Sequence, residues 1–372
     1  MSGGSDVVDT NTTYSLSGSG STIKLTGSDG AVTQYTVPSS GLAASIQYRN
    51  VLDYEGVYND GVTDSTAGIQ KCLDDAGNAS MDNGENCDVF FPIGRYLISA
   101  PLIIPPQVNL RGTSKTTIKK MSSAEHTFTE DDGETFTTSA ILVVNGNRIS
   151  IENLRLEGDG TDEDGKTSAA KNNNMKVDGI CFYRQSLRVE MTNISDVHIE
   201  NCNKAITELR SLFMCSFHRV HMRHCQYGFA LNGTDSDNEI PTNEKTSLSI
   251  DNCWCENCGY AYDFAGLHYS TITNCGADNC NFIGGISGIA NNGYSARGDS
   301  NPSKGVYNFI ACRGIKMSGC GAERSKGRGI IRLKNSVLSV DGFVCSTVGT
   351  DYTSTSEKIG VFNVSGWGAH IL

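Results

Sequence analysis

Acidic side chains recur at one position of a short repeat in the second half of the chain. The column that they form reads Glu157, Glu200, Arg223, Glu256, Asp278 and Glu323. If the repeats stack as neighbouring β-strands about 4.8 Å apart, Glu256 and Asp278 lie near the roughly 5 Å separation of a retaining carboxylate pair. Glu200 and Glu256, two repeats apart, lie near the upper end of the roughly 6.5–9.5 Å range of an inverting pair. These residue types therefore predict acid/base cleavage of a glycosidic bond.

Repulsion between stacked carboxylates should raise the pKa of one of them, and that group could then act as the general acid. The alternative is a solvated acidic face. A third possibility is a face packed on a threefold axis, with Arg223 bridging Glu200 and Glu256.

Two further carboxylates lie outside this column. Asp263 follows Tyr262, which we expect to point inward, so Asp263 should point outward on a different face. The orientation of Glu208 is ambiguous. If its side chain points inward, it needs a partner such as Arg210.

Residues that could bind a sugar lie beside the acids. The neighbouring outward column reads Arg155, His198, His221, Trp254, Gly276 and Gly321. Trp254, one of two tryptophans, is expected to stack on a sugar ring. Arg223 and the loop residues Tyr294 and Arg297 are expected to contact an acidic polysaccharide. No cofactor and no metal site are predicted.

Seven segments with the same apolar pattern carry these columns. They begin at Ile151, Ile194, Phe217, Ile250, Ile272, Met317 and Leu338. The steps from 194 to 217 and from 250 to 272 set a period in the low twenties, which indicates a parallel β-solenoid. We interpret the steps from 151 to 194 and from 272 to 317 as about two coils each. Insertions are predicted as loops of the binding face, at 121–138, 158–175, 233–246, 286–305 and 346–358.

The same period accounts for most of the 14 cysteines. One column contains Cys202, Cys225, Cys258 and Cys280, and another contains Cys253, Cys275 and Cys320. We expect inward-facing, reduced thiols that act as small apolar side chains. The run from Cys253 to Cys258 is also compatible with a zinc cluster, but inward stacking explains its spacing without a metal.

The first third of the chain predicts smaller elements. Residues 13–37 alternate between apolar and polar around two glycine-containing turns, which predicts a β-meander. A helix is predicted over 64–76, with Thr63 or Asp64 at its N-terminus and Gly77 in the left-handed conformation at its end. The predicted organisation is therefore 1–45 for the meander and linker, 46–112 for the β-helix entry and capping helix, and 113–372 for the β-helix with its loops.

Charge and hydropathy exclude several classes of protein. With 30 Lys and Arg against 41 Asp and Glu, the net charge of −11 argues against a nucleic-acid binder. No apolar run approaches the roughly 18 residues of a membrane span, so no membrane insertion is expected. The first residues lack the basic and apolar regions of a signal peptide.

Two segments resemble a known family. Residues 59–70, Asn-Asp-Gly-Val-Thr-Asp-Ser-Thr-Ala-Gly-Ile-Gln, and 89–98, Val-Phe-Phe-Pro-Ile-Gly-Arg-Tyr-Leu-Ile, resemble the opening of the pectate-lyase-like right-handed β-helix superfamily. The chain has Ser65 where that family usually has Asp and Gly68 where it usually has Ala. Residues 14–33 resemble a short repeat of phage tail fibres and tailspikes. The resemblance implies an all-β fold, a single-stranded right-handed parallel β-helix with an N-terminal capping helix and a small N-terminal β-meander.

The resemblance also implies a bacteriophage tailspike that recognises and cleaves a capsule or O-antigen polysaccharide. Such a protein is expected to be a homotrimer in the virion, made in the host cytoplasm and joined through its N-terminus to other tail or baseplate proteins. Hydrolysis by a carboxylate pair is favoured. A lyase would instead use His198, His221 or Tyr294 as base and Arg223 or Arg297 to neutralise a uronate. The sequence is also compatible with a non-catalytic adhesin and with a pectin-type enzyme unrelated to virions.

Overall fold

Two compact units, Met1–Gln47 and Tyr48–Leu372, make up the chain. The computed structural model describes residues 14–19, 22–27, 32–36 and 48–371, apart from 121, 161–174, 186, 234–240, 281–305, 324, 326–328, 347–359 and 366–368. The first unit contains the predicted β-meander. Its three antiparallel strands pair in chain order, at Tyr14–Ser19, Thr22–Gly27 and Val32–Thr36.

The second unit is the predicted right-handed parallel β-helix, in which coils stack into long parallel sheets. The ten-stranded sheet comprises Asp60–Asp64, Gly94–Ile98, Thr116–Lys120, Arg155–Glu157, His198–Glu200, His221–Arg223, Trp254–Glu256, Gly276–Asp278, Gly321–Glu323 and Val344–Ser346. The nine-stranded sheet comprises Leu102–Ile104, Leu142–Val144, Ile180–Phe182, Lys204–Glu208, Tyr227–Leu231, Tyr260–Ala265, Tyr307–Ile310, Gly329–Lys334 and Gly360–Ser365.

Two further parallel sheets complete the coils. The eleven-stranded sheet comprises Tyr48–Asn50, Cys87–Phe90, Val108–Arg111, Ser150–Glu152, Asn193–Ser195, Ser216–His218, Ser249–Asp251, Thr271–Thr273, Ile315–Ser318, Val337–Asp341 and His370–Ile371. The four-stranded sheet comprises Val189–Glu190, Leu212–Phe213, Lys245–Thr246 and Leu267–His268. From Cys87–Phe90 onward, each coil passes from the eleven-stranded to the ten-stranded and then to the nine-stranded sheet, and in the first coil the helix takes the place of the third strand. Four coils return through the four-stranded sheet.

A tight turn separates the eleven-stranded from the ten-stranded sheet. From Ser150–Glu152 onward this turn has two residues, and the first always has a positive φ. The residues in this position are Asn153, Asp196, Arg219, Asn252, Asn274, Gly319 and Gly342. Asn, Asp and Gly tolerate the left-handed region better than other residues, so their recurrence fixes this corner of each coil.

The helix is longer than predicted. It spans Thr66–Asn83, and Gly84, with a φ of 69°, is its left-handed C-cap. Gly77 lies inside the helix, where a Cβ atom would come within 2.7 Å of Pro105. The prediction that Gly77 ends the helix was therefore wrong, because this glycine allows close packing instead. The N-cap residue is Ser65 and not the predicted Thr63 or Asp64, although the side chain of Asp64 accepts the amide hydrogen of Thr66 at 3.0 Å.

Two predictions about the repeat were also wrong. Ile151 pairs directly with Ile194, and Ile272 with Met317, so each long step is one coil carrying an insertion and not two coils. Met317 pairs with Val340 and not with Leu338. A shift of two residues keeps the same side chains inward, so the apolar pattern alone could not detect it.

The interior of the solenoid is apolar and continuous with the helix, whose Ile69, Cys72, Leu73 and Ala76 join the same core. The cysteine columns point inward as predicted. All 14 thiols are free, and all except the half-buried Cys345 are buried. Cys181 lies outside this interior, in a separate apolar cluster with Tyr183, and burial there raises its pKa to about 12 and keeps the thiol protonated. Among the described residues, no helix is long and apolar enough to cross a membrane.

One ion pair is buried inside this core. Lys245 Nζ lies 2.8 Å from Glu208 Oε1, and both side chains are fully buried. Lys245 Nζ also donates to the carbonyl oxygens of Asn243 and Ala265, at 2.9 and 2.8 Å. Glu208 therefore points inward, but its partner is Lys245. Arg210 pairs instead with Glu130, at 2.6 Å.

We predict that Lys245→Met destabilises the protein by about 3–5 kcal/mol, because it leaves the charge of Glu208 buried without a partner. The double variant Glu208→Leu/Lys245→Met should recover most of this loss, since apolar residues can replace a buried ion pair. Urea unfolding of the three proteins measures the difference. Equal losses in the single and double variants would contradict the prediction.

Candidate functional site

The predicted outward columns lie on the ten-stranded sheet in the predicted register. Arg155, His198, His221, Trp254 and Gly276 pair in succession. The acidic column pairs in the same way, through Glu157, Glu200, Arg223, Glu256, Asp278 and Glu323. Their catalytic roles remain predictions.

Basic side chains accompany the acids at the first end of this column. Glu157 pairs with Arg95 at 2.7 Å and Lys119 at 2.5 Å. Glu200 accepts hydrogen bonds from Arg155 and lies 3.2 Å from His198 Nε2. Burial alone would raise the pKa of Glu200, but the bonds from His198 and Arg155 outweigh it and lower this pKa to about 2. Glu200 therefore does not become the general acid that stacking predicted.

Glu256 has a similar environment. Its Oε2 lies 3.3 Å from His221 Nε2, and its Oε1 lies 3.4 Å from Arg223 Nε. The rings of His198 and His221 meet edge to face, with centroids 4.7 Å apart. Burial and the neighbouring His198 lower the pKa of His221. Arg223 therefore pairs with Glu256, and Asp278 follows Glu256 on the next coil.

Trp254 provides an accessible aromatic surface. Its side chain is 43% exposed, and its indole lies across the next coil at Gly276. A Cβ atom on Gly276 would come within 2.0 Å of the indole. Trp254, Glu256 and Asp278 thus remain together on one open face, as the columns predicted.

Asp263 lies on the nine-stranded sheet. Its neighbours Tyr262 and Phe264 belong to the core, so Asp263 faces outward, as predicted. The residue is nevertheless 1% exposed. Its carboxylate accepts hydrogen bonds from Asn232 at 2.6 Å and from Asn308.

The partners of Asp263 were missed by sequence reasoning. Asn308 and Arg332 occupy the same position on the next two coils, and Arg332 donates to Asn308 Oδ1 at 2.9 Å. This bond orients the amide so that its nitrogen faces Asp263. We call Asn232, Asp263, Asn308 and Arg332 the Asp263 cluster. The insertion between the strands of Asp263 and Asn308 hid their shared register.

A hairpin covers the other half of the outer face of this sheet. Its strands, His126–Thr129 and Thr135–Thr138, come from the predicted insertion at 121–138. Phe128 and Phe136 pack there against a small apolar cluster that includes Tyr183. The outer face is therefore apolar under the hairpin and polar around Asp263.

Two predicted binding residues, Tyr294 and Arg297, lie outside the described residues. Within the described part of the chain, no group of three or more His, Cys, Asp or Glu side chains is placed to hold a metal ion. The zinc alternative for Cys253, Cys255 and Cys258 therefore finds no support in the described geometry, since these thiols belong to the core.

Comparison with protein families finds one matching model. It is described as rhamnogalacturonase A/epimerase, pectate lyase-like, and it matches residues 48–287. A curated fungal protein, the non-secreted LysM effector LysM15 of Penicillium expansum, is 43% identical over 60 residues, which are 15% of this chain and 4% of that protein.

Solved structures share the fold at low sequence identity. The gp42 tailspike of Acinetobacter phage vb_AbaP_AS12 has a TM-score of 0.61 and 16% identity, over 88% of this chain and 52% of the tailspike. WceF of Pantoea stewartii, a glycan biofilm modifying enzyme, has a TM-score of 0.55 and 14% identity, over 92% and 44%. DFA-IIIase of Arthrobacter chlorophenolicus has a TM-score of 0.56 and 11% identity, over 87% and 85%. The chain thus spans about half the length of the phage tailspike.

We predict that Glu200 makes the stability of the protein depend on pH in acid. Its pKa of about 2 in the folded state lies below the ordinary 4.5. The ionised group therefore stabilises the fold above about pH 4.5, and this stabilisation is lost as the pH falls towards 2. Between about pH 5 and pH 2 the free energy of unfolding should fall more steeply in the wild type than in Glu200→Gln. Parallel profiles from urea unfolding would contradict this.

Proposed function

The chain belongs to the rhamnogalacturonase A/epimerase family of pectate-lyase-like proteins, and we propose that it is a phage tailspike domain that binds and cleaves a bacterial surface polysaccharide. Similarity in fold to a phage tailspike and to a glycan-modifying enzyme supports this proposal. The repeat at residues 14–33, which resembles tail proteins, supports a virion location. As parts of the same proposal, the protein is a homotrimer and its N-terminal unit attaches to other tail proteins.

We choose the substrate site from the position of the insertions. All five predicted insertions begin or end at the nine-stranded sheet. Four connect it to the ten-stranded sheet, and 233–246 follows the strand Tyr227–Leu231. From Ser150–Glu152 onward, the corner between the eleven-stranded and ten-stranded sheets keeps its two-residue turn in successive coils. Insertions in solenoids concentrate on the binding face, so we place the substrate on the outer face of the nine-stranded sheet.

Asp263 is the catalytic carboxylate of this proposal. It lies near the middle of that face, on the strand between the coils that carry the insertions at 233–246 and 286–305. Asn232 and Asn308 hold its two oxygens, and Arg332 fixes Asn308 in turn. These bonds fix the orientation of the carboxylate. Proton transfer between Asp263 and a glycosidic oxygen requires in addition that its side chain, 1% exposed in the described structure, becomes accessible when the glycan binds.

Hydrolysis is the reaction that we favour. Hydrolysis requires a second carboxylate besides Asp263. A lyase remains the enzymatic alternative, and a glycan-binding adhesin the non-catalytic one.

The face around Trp254 is a second candidate site. Glu256 and Asp278 lie on neighbouring strands there, at about the 5 Å spacing of a retaining pair. Trp254 beside them offers an exposed ring for sugar stacking. The cations around Glu256 and the constant two-residue turn between the eleven-stranded and ten-stranded sheets in these coils make this the weaker candidate.

We predict that Asp263→Asn lowers the rate of polysaccharide cleavage by about a thousandfold or more, because it removes an acid/base group and part of its electrostatic effect. Purified protein is incubated with capsule and O-antigen from a panel of bacterial strains, and the products are analysed by mass spectrometry and ultraviolet absorbance. Products that gain water without absorbing indicate hydrolysis. Absorbing products without added water indicate a lyase.

Asp196→Asn is the matched control, since this half-buried carboxylate pairs with Arg219 at the corner between the eleven-stranded and ten-stranded sheets. It should cleave at the wild-type rate. Full activity of Asp263→Asn would rule out the proposed catalytic role, and tight binding without any cleavage by the wild type would favour the adhesin.

A further inference from the structure

A groove lined by arginines lies outside the four-stranded sheet. Its volume is about 620 Å³, within the roughly 300–1,000 Å³ of small-molecule sites. Arg184, Arg188 and Arg210 line it, together with Leu187, Thr242 and Asn243. Arg188 pairs with Glu190 at 2.6 Å and Arg210 with Glu130 at 2.6 Å, so Arg184 is the arginine of this lining for which no ion pair is seen among the described residues.

Aromatic rings hold two of these arginines in place. The guanidinium of Arg188 lies over the ring of Phe213 at 4.2 Å, and that of Arg210 over the ring of Phe136 at 4.1 Å. Arg188 Nε also donates to Glu190 at 2.6 Å. Planar groups held in this way lose little conformational freedom when they bind a ligand.

Arg184 is available for a ligand. One of its terminal nitrogens donates to the carbonyl oxygen of Arg188 at 3.3 Å, and it forms no ion pair within the described part of the chain. Arginine recognises a carboxylate through two parallel hydrogen bonds. Glu190 and Glu244 in the same lining would repel a doubly charged phosphate more strongly than a singly charged carboxylate.

We propose that this groove binds the carboxylate of an acidic sugar residue, with Arg184 and Arg188 as its main partners. The hydroxyl of Thr242 and the amide of Asn243 can bond sugar hydroxyls. Leu187, 55% exposed, can contact the apolar face of the ring. This inference rests on the proposed function and assigns its substrate to the acidic polysaccharides.

The backbone connects the groove to the Asp263 cluster. Thr242 N donates to the carbonyl oxygen of Gly233 at 2.9 Å, and the preceding residue, Asn232, bonds Asp263. As part of this proposal, a glycan whose acidic residue lies in the groove continues along the surface towards Asp263. The groove would set the position of the cleaved bond relative to the acidic residue.

The test measures binding of two acidic probes, tetragalacturonate and a hyaluronan tetrasaccharide, and of the same oligosaccharides after reduction of their carboxyl groups. Calorimetry with the full chain should show binding of at least one acidic probe and at least about tenfold weaker binding of its reduced form. Arg184→Gln should weaken acidic binding by about tenfold and leave binding of the reduced form unchanged. Arg188→Gln is the second groove variant, and the same weakening of acidic binding is expected for it.

Arg219→Gln is the control, because Arg219 is exposed and pairs with Asp196 away from the groove. Equal binding of the acidic and reduced probes, no binding of either acidic probe, or unchanged acidic binding in both groove variants would overturn the inference. Cleavage is assayed separately. If the protein cleaves a neutral polysaccharide and binds neither acidic probe, the proposed function holds and this inference fails. If it binds an acidic probe through the groove and cleaves no polysaccharide, the groove site holds and the proposed cleavage fails.

Discussion

In-register stacking of coils is the constraint on which the rest of this molecule depends. Each strand hydrogen-bonds to the same position of the coils before and after it, so every inward residue must pack on its equivalents one coil away. The two-residue turn with a left-handed first residue, seen at Asn252 and Asn274, holds one corner constant. The other corners are then free to vary in length, and the insertions occur there. The same stacking aligns outward residues in columns and creates both the acidic ladder and the Asp263 cluster.

The acidic ladder and Asp263 differ in the charges of their neighbours. On the ten-stranded sheet, a cation accompanies Glu157, Glu200 and Glu256, so the ladder largely neutralises itself. The low pKa of Glu200 is the consequence. On the nine-stranded sheet, amides hold the carboxylate of Asp263 and an arginine orients one of them. The ion pairs of the ten-stranded sheet stabilise its surface, whereas the hydrogen bonds on the nine-stranded sheet fix the orientation of one carboxylate, that of Asp263.

The sequence predicted the fold well because its signals are local and repeated. Apolar residues at a constant period identified the solenoid, the inward cysteines and the outward columns of Glu200 and Trp254. The apolar pattern could not detect the slip at Leu338, since a shift of two residues preserves the inward face. Comparison of Gly319 with Gly342 would have corrected it, because both occupy the left-handed turn. The pairing of Glu208 with Lys245 joins residues on different coils, which no local pattern relates. The partners of Asp263, which itself was predicted, were missed for the same reason.

Binding of a polysaccharide along the outer face of the nine-stranded sheet, at Asp263, is open to direct observation. The decisive experiment is a crystal structure of the Asp263→Asn variant with oligosaccharides from a polysaccharide that the wild type cleaves or binds. We expect sugar rings on this face, within hydrogen-bond distance of position 263, with a carboxylate among the groove arginines. Sugar stacked on Trp254 beside Glu256 and Asp278, with none near position 263, would contradict this placement of the substrate.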